Sequence, residues 1–354
     1  MISRKAEKLT PYVAGLQPQG EGWIKLNTNE NPYPPSPQVF KALANVDINK
    51  LRLYPDGDSK ALCKAIGNYH GLDFKHIFCG NGSDEVLALA FQAFFYGKAN
   101  VLVPDISYGF YPVWGEMYDV GLVTIPLNDD FTLDTAKYIG ANGVVIANPN
   151  APTSLAAEVT DIIKILQQNP EGVVLVDEAY IDFASIESAV SLIPNYENLL
   201  VVRTFSKSHS LAGLRVGYAV GSPALIDVLC RMRDAFNAYP LDMLAQAAAG
   251  SAVSDRDYLH ETVLRIKKTR DITTEQLREL GCRVVSSQTN FLFVEASDAT
   301  GLYEYLLENK IIVRHWNKPK ISNFLRISIG TEKDMEALIR CVRSYTRERP
   351  GKQI

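Results

Sequence analysis

The sequence predicts an α/β protein: a large domain with a mostly parallel central sheet flanked by helices, followed by a smaller α+β domain. Three observations lead there. From about residue 75 to 235, short β-rich runs alternate with helical patterns, as βαβ units require. Several of those runs are continuously apolar, which suits strands covered on both faces. After about residue 255 the alternation gives way to one long helical stretch and then to several short strands.

In chain order, the Pro- and Asn-rich segment LNTNENPYPPSP has few periodic apolar residues and reads as an ordered loop lying across the rest. Strands are expected at HIFC (76–79), NVLVP (100–104), LVTIPL (122–127), GVVIANP (143–149), GVVLVDEAY (172–180), NLLVVRTFS (198–206) and GYAVG (217–221). Between them, SDEVLALAFQAFFYG (83–97), TDIIKILQQ (160–168) and PALIDVLCRMRDAF (223–236) carry the helical spacing of apolar residues. A long helix over 257–280 then leads into CRVVSS, NFLFVEA, IIVRH and FLRISIG, with helices between and after. The expected division is 26–254 for the large domain, with 1–25 and 255–354 forming the small one.

Bulk properties exclude several classes. At 354 residues the chain is long enough for roughly two domains. A net charge of −4 gives no basic footprint for nucleic acid or an anionic membrane. The five cysteines are scattered, without a CxxC pair or His/Cys ligand spacing, so neither a zinc site nor a disulfide framework is expected. Free thiols suit a reducing compartment, the cytoplasm. MISRKAEKLTPY has no apolar run behind its basic residues, which argues against a signal peptide. No stretch approaches the roughly 18 to 20 apolar residues of a membrane helix.

Loops at the C-terminal ends of parallel strands are where α/β sheets place their sites. After HIFC comes Gly80-Asn81-Gly82-Ser83-Asp84, opening a helix. Such a turn cradles a phosphate with backbone N–H groups, although an ordinary helix start capped by Ser83 reads the same way. It is not GxGxxG, which disfavours a dinucleotide. GVVLVDEAY ends in Asp177 and Tyr180, three apart and either able to serve one ligand from a common turn or simply a helix N-cap or surface turn. Lys207 follows the next strand, either a solvated strand-end cation or an amine whose pKa is lowered for Schiff-base chemistry. Arg215 is either a bidentate phosphate clamp or half of a salt bridge. Tyr108, in DISYGFYPVW, either stacks on a ligand or packs among Phe110, Tyr111 and Trp114. Taken together, these residues match the needs of pyridoxal phosphate: a lysine, a carboxylate for the ring nitrogen, a phenol, a stacking aromatic and a phosphate cup.

The stretches LNTNENPYPPSP, RLYPDG, GNGSDE, PDISYGFY, NPNAPT, VDEAYIDF, RTFSKSHSLAGLRVGY, TNFLF and FLRISIGT run across nearly the whole chain. In that order they resemble the fold-type-I pyridoxal-phosphate aminotransferases and, within them, the histidinol-phosphate aminotransferase family. The resemblance implies that Lys207 forms the Schiff base, Asp177 holds the pyridine nitrogen, Tyr180 bonds O3′ and Tyr108 stacks on the ring. Gly82, Ser83 and Asp84 at the helix start, with Thr204, Ser206 and Arg215, would form the phosphate cup. It implies a homodimer in which Tyr54 of LRLYPDG reaches the partner's cofactor phosphate. The sequence departs from the family's NPNNPTG in reading NPNAPTS. Ala151 replaces an asparagine and Ser154 a glycine, leaving Asn148 or Asn150 to supply an amide.

Arg326 of FLRISIG resembles the family's anion-binding arginine. It would take the carboxylate of glutamate or 2-oxoglutarate and, in the other half-reaction, the phosphate of histidinol phosphate. Arg314 and Tyr12 are second contacts for that phosphate, and Asn29 and Asn290 further site candidates. A surface arginine on an edge strand is the competing reading for Arg314. The expected reaction is a ping-pong transamination in histidine biosynthesis. An aromatic or broad-range aminotransferase and a phosphothreonine decarboxylase would share the cofactor residues. A non-catalytic cofactor-binding regulator would not need the proton-shuttling lysine.

Overall fold

The computed structural model describes residues 1–13 and 15–348; residues 349–354, assigned above to the small domain, lie outside that set. Two helical or strand elements precede the Asn- and Pro-rich loop. They are α1 (Arg4–Lys8) and the two-residue strand β1 (Ile24–Lys25), neither expected from the sequence. Helices α2 (Pro37–Ala44) and α3 (Lys60–His70) follow.

The central sheet contains β2 (Ile77–Asn81), β3 (Val101–Pro104), β4 (Leu122–Ile125), β5 (Gly143–Ala147), β6 (Val173–Asp177), β7 (Leu199–Thr204) and β8 (Val216–Gly221). Their spatial order is β2-β8-β7-β6-β5-β3-β4. Strands β3 to β7 pair in parallel, while β8 runs antiparallel to both β7 and β2. Each expected strand is therefore present, in a mixed sheet that is mostly parallel.

Helices α4 (Gly82–Ala90), α5 (Tyr111–Met117), α6 (Val159–Gln168), α7 (Pro223–Phe236) and α8 (Met243–Ser254) flank the sheet. The run expected as one helix over 83–97 closes with a π-helical turn, Phe91–Phe95. The continuous apolar runs are explained by cover on both faces. Val144, Ile146, Val174, Val176 and Val201 enter one core cluster with Leu62, Ile66 and Ile165. Their alternating neighbours Val145, Leu175, Leu200 and Val202 enter another, with Val86, Phe91 and Trp114.

The long α9 (Arg256–Glu279) leads into an antiparallel sheet of order β12-β13-β10-β9. Its strands are β9 (Arg283–Val284), β10 (Phe291–Glu295), β12 (Arg314–His315) and β13 (Phe324–Ser328). Helices α10 (Ala299–Glu308) and α11 (Glu332–Glu348) pack with α9 around a separate core that includes Ile266, Leu292, Leu325 and Val342. The expected strand IIVRH divides: β11 (Ile311–Ile312) pairs in parallel with β1, and after Val313 the chain joins β13 through β12. This division ties the N-terminal segment to the small sheet. Among the described residues, no helix is long and apolar enough to cross a membrane, and all five cysteines are free thiols.

Candidate active site

The ends of β5, β6 and β7 lie side by side, with Ala147 paired to Asp177 and Asp177 to Val202. The chain leaving these ends forms the floor of one cavity, and the N-terminal segment and small sheet form its rim. Residues lining it include Ser83, Tyr108, Asp177, Tyr180, Lys207, Arg215, Arg314 and Arg326, with Tyr12 and Asn29. Residues separated by more than three hundred positions in the chain thus converge.

Lys207 is mostly buried, and its Nζ donates to the Thr28 carbonyl at 3.0 Å. Burial, with Arg326 nearby, lowers its pKa to about 8, against the opposing pull of Glu30 and Asp84. The amine is thus partly uncharged near neutral pH, as a nucleophile and base requires. Asn31 braces the turn by donating to the carbonyls of Lys207 and Ser208 at 3.0 and 3.1 Å.

Asp177 is only 5% exposed. Its carboxylate accepts the Tyr111 hydroxyl at 2.9 Å and the Ala179 N–H at 3.2 Å. Burial raises its pKa to about 6 in spite of those bonds. The Tyr180 hydroxyl accepts from the Asn29 amide at 3.0 Å, and its ring meets Phe291 edge-on at 5.1 Å. Asn29 adopts φ 56° and is fixed by Ser328, whose Oγ accepts from its N–H and donates to its Oδ1. Asn290 lies behind it, donating to the Asn29 carbonyl at 3.0 Å; it holds Asn29 and does not line the cavity.

The phosphate cup expected at α4 fits an anion. Gly82 has φ 80° and lies so close to Arg215 that a Cβ would strike the guanidinium. Gly217 on β8 passes against the Ser83 backbone, where no side chain has room. The helix therefore starts flush with the sheet, its first N–H groups bare of any side-chain cap, since Asn81 and not Ser83 is the N-cap and makes no such bond. Arg215 holds φ 52° and bonds Asp84 at 3.0 Å and Ser206 at 3.5 Å. Thr204 Oγ1 accepts the Ser206 N–H at 3.1 Å. Asp84 also accepts the Tyr108 hydroxyl at 2.8 Å; as an acceptor-only group it aims Tyr108 and Arg215 and is not itself an anion ligand.

Asn148 and Asn150 are not brought to the cavity. Asn148 exchanges two bonds with the Ala157 backbone, at 2.8 and 3.0 Å. Asn150 is bonded to Ile106, Thr153 and Ser107. Asn148 is spent on its own loop and Asn150 on its own loop and the one after β3, while Ala151 and Pro149 line the cavity in their place. Ser154 occupies a left-handed conformation, φ 66°, where a glycine would be unstrained.

On the rim, Arg314 and Arg326 are directly opposed across β12 and β13. The Trp316 ring lies 5.5 and 5.4 Å from their guanidinium carbons. Arg326 donates to the Asn27 carbonyl at 2.7 Å, and its buried Nε makes no hydrogen bond. Arg314 donates to the Val13 carbonyl at 3.1 Å. Tyr12 stacks on Phe110 at 4.2 Å and approaches Tyr108 at 6.3 Å. Tyr54 is 81% exposed and stacked on Tyr239 at 4.6 Å, on the surface and outside this chain's own cavity.

Sequence reasoning missed Tyr111, Asn31, Thr28 and Ser328. Tyr111 stands in the quoted DISYGFY but reads as a packing aromatic; nothing local marks its partner. Among the described residues, no group of three or more His, Cys, Asp or Glu could hold a metal. A lowered lysine, a buried carboxylate, a phenol, a bare helix start and an arginine together fit pyridoxal phosphate.

The profile of the aminotransferase class I and II family matches residues 21–342. The chain is 48% identical to a histidinol-phosphate aminotransferase of Lactococcus lactis subsp. cremoris (strain SK11) over 96% of each chain. The solved histidinol-phosphate aminotransferase of Clostridium acetobutylicum is similar with a TM-score of 0.85 and 26% identity, covering 92% of this chain and 100% of that one. That of Sinorhizobium meliloti, solved in complex with pyridoxal-5′-phosphate, shares the fold with a TM-score of 0.81 and 24% identity, covering 91% of each.

Proposed function

The chain belongs to the class I and II aminotransferases and, within them, to the histidinol-phosphate aminotransferases, and from that premise we propose how its residues divide the work. The reaction interconverts histidinol phosphate and 2-oxoglutarate with imidazole-acetol phosphate and glutamate, a step of histidine biosynthesis. The observation that carries the substrate class is the pair Arg314 and Arg326, opposed on adjacent strands beside one cavity. Like charges directly opposed across a sheet are destabilising; a doubly charged phosphate relieves them where a neutral side chain cannot.

Pyridoxal phosphate, when bound, supplies an electron sink for the charge left at the substrate Cα. Asp177 would hold its ring nitrogen, Tyr180 its phenolic oxygen and Tyr108 its ring face. Its phosphate would be held by the N–H groups at Gly82 and Ser83, by Thr204 and Ser206, and by Arg215. Lys207 Nζ, freed to act as base, takes the proton from the substrate Cα. Arg326 takes the carboxylate of glutamate in one half-reaction and the phosphate of histidinol phosphate in the other, with Arg314 and Tyr12 beside it. Asn29, locked by Ser328 and Asn290, aims Tyr180.

The working unit is a homodimer in the cytoplasm, with Tyr54 completing the partner's phosphate cup; the exposed Tyr54–Tyr239 stack supports this reading. The large domain is taken as 26–254, and 1–25 with 255–354 as the small one, in keeping with the separate core around α9 and α11.

The test compares turnover of histidinol phosphate, phenylalanine and phosphothreonine by the holoenzyme. Histidinol phosphate should have the highest kcat/KM; preference for phenylalanine would move the chain to the aromatic aminotransferases. Carbon dioxide release from phosphothreonine would make it a decarboxylase.

A further inference from the structure

Tyr111 is the largest buried polar side chain next to the site that the mechanism above leaves without a role. It opens α5, is 1% exposed and does not line the cavity. Its hydroxyl ends on Asp177 Oδ2 at 2.9 Å. Three aromatic rings fix it there: Phe91 stacked at 6.1 Å, Trp114 at 6.2 Å and Tyr108 edge-on at 5.7 Å. Tyr108 and Tyr111 stand three residues apart in one turn. Each gives its hydroxyl proton to a different carboxylate of the site, Asp84 and Asp177 respectively.

We propose that Tyr111 is a positioning residue for the reaction, acting through Asp177 by keeping that carboxylate ionised and fixed in one orientation for the cofactor's ring nitrogen. The inference rests on the reading of Asp177 as the residue that holds that nitrogen. An isolated carboxylate at the end of β6 would take up a proton and neutralise. An acid so neutralised cannot stabilise a protonated ring nitrogen.

The groups that face Asp177 do not remove the problem. Asp84 on α4 pushes it toward the protonated form, and Lys207 after β7 opposes that. Tyr180, in the turn that follows Asp177, and Tyr108 on the approach to α5 are phenols held protonated by burial. The bonds that favour the ion come from Tyr111 and from the Ala179 N–H. Only the former can be removed without touching the backbone. Burial and Asp177 itself push the Tyr111 phenol well up, so its proton stays in place as a fixed donor.

The test uses apoenzyme of the full chain, titrated with pyridoxal phosphate and followed by quenching of intrinsic fluorescence from pH 6 to 8.5. Tyr111→Phe keeps the ring and its packing. It should weaken cofactor binding about tenfold at pH 6.5, and less at pH 8.5, where Asp177 ionises without help. In an Asp177→Asn background, Tyr111→Phe should cost no further affinity. An equal, additional loss in that background would show that Tyr111 acts by packing alone and would overturn the inference. So would wild-type affinity of Tyr111→Phe across the whole pH range. Wild-type affinity of Asp177→Asn would instead defeat the reading of Asp177, and the inference with it. A second measurement needs no change at Tyr111. The infrared difference between wild-type and Asp177→Asn apoenzyme at pH 7.5 should lack a protonated-carboxyl band for Asp177; its presence there would also overturn the inference.

Discussion

The floor of the cavity and its rim are built in opposite ways. Asp177, Lys207, Thr204 and Arg215 leave the ends of adjacent strands in one buried sheet, so backbone ladders fix their spacing. Arg326, Arg314, Tyr12 and Asn29 come from the small sheet and the N-terminal segment, joined through carbonyl contacts to Asn27 and Val13. A rigid floor suits a group that stays, and an assembled rim suits a substrate that enters and leaves. On the proposed division of roles, the floor carries the chemistry and the rim selects its substrate.

The floor is broken most completely by Lys207→Ala. Turnover should fall about a thousandfold or more, measured in steady state with the cofactor supplied in excess; a loss below tenfold would remove Lys207 from the role of base. The rim is tested next by Arg326→Ala. Loss of its charged bonds should lower kcat/KM about a hundredfold for histidinol phosphate and also for glutamate. A loss confined to one substrate would show that the two anions do not share this arginine.

Mixing inactive subunits separates contributions within one chain from those across two. A heterodimer of Tyr54→Ala with Lys207→Ala contains one intact site only if Tyr54 serves its partner. Roughly half of wild-type activity per heterodimer is then expected, and none if Tyr54 acts within its own chain.

The smallest effect sharpens the contrast from the side of stability. A buried lysine with its pKa lowered to about 8 binds fewer protons folded than unfolded between about pH 8 and its ordinary value of 10.5. Unfolding free energy therefore rises with pH across that window. Below pH 8 the penalty is fully present. Apoprotein carrying Lys207→Met should accordingly unfold at a higher temperature than wild type at pH 7, with the advantage shrinking toward pH 10.

The floor was legible in the sequence because each of its signals is local. A continuous apolar run followed by Asp177 or Lys207 states both the strand and the residue at its end, and Gly82 before a helical pattern states the helix start. The rim was legible only through resemblance, and the supporting contacts hardly at all. Tyr180 depends on Asn29, Arg326 on Asn27 and Lys207 on Thr28, partners separated by 151, 299 and 179 residues. No pattern of period 2 or 3.6 encodes such pairings. Asn148 and Asn150 show the converse: their amides are taken by the backbone carbonyls of Ala157 and Ile106, partners that no local pattern marks. The division of IIVRH was equally invisible, since its residue pattern suits one strand as well as two.

That division gives Val313 a part in what the chain tolerates by way of length change. It is the lone residue between a strand pair with β1 and one with β13, buried at 2% exposure. Side chains alternate along an extended chain, so one added or removed residue here would turn Arg314 to the opposite face while leaving Ile311 in place. A change of length at this single position is therefore excluded.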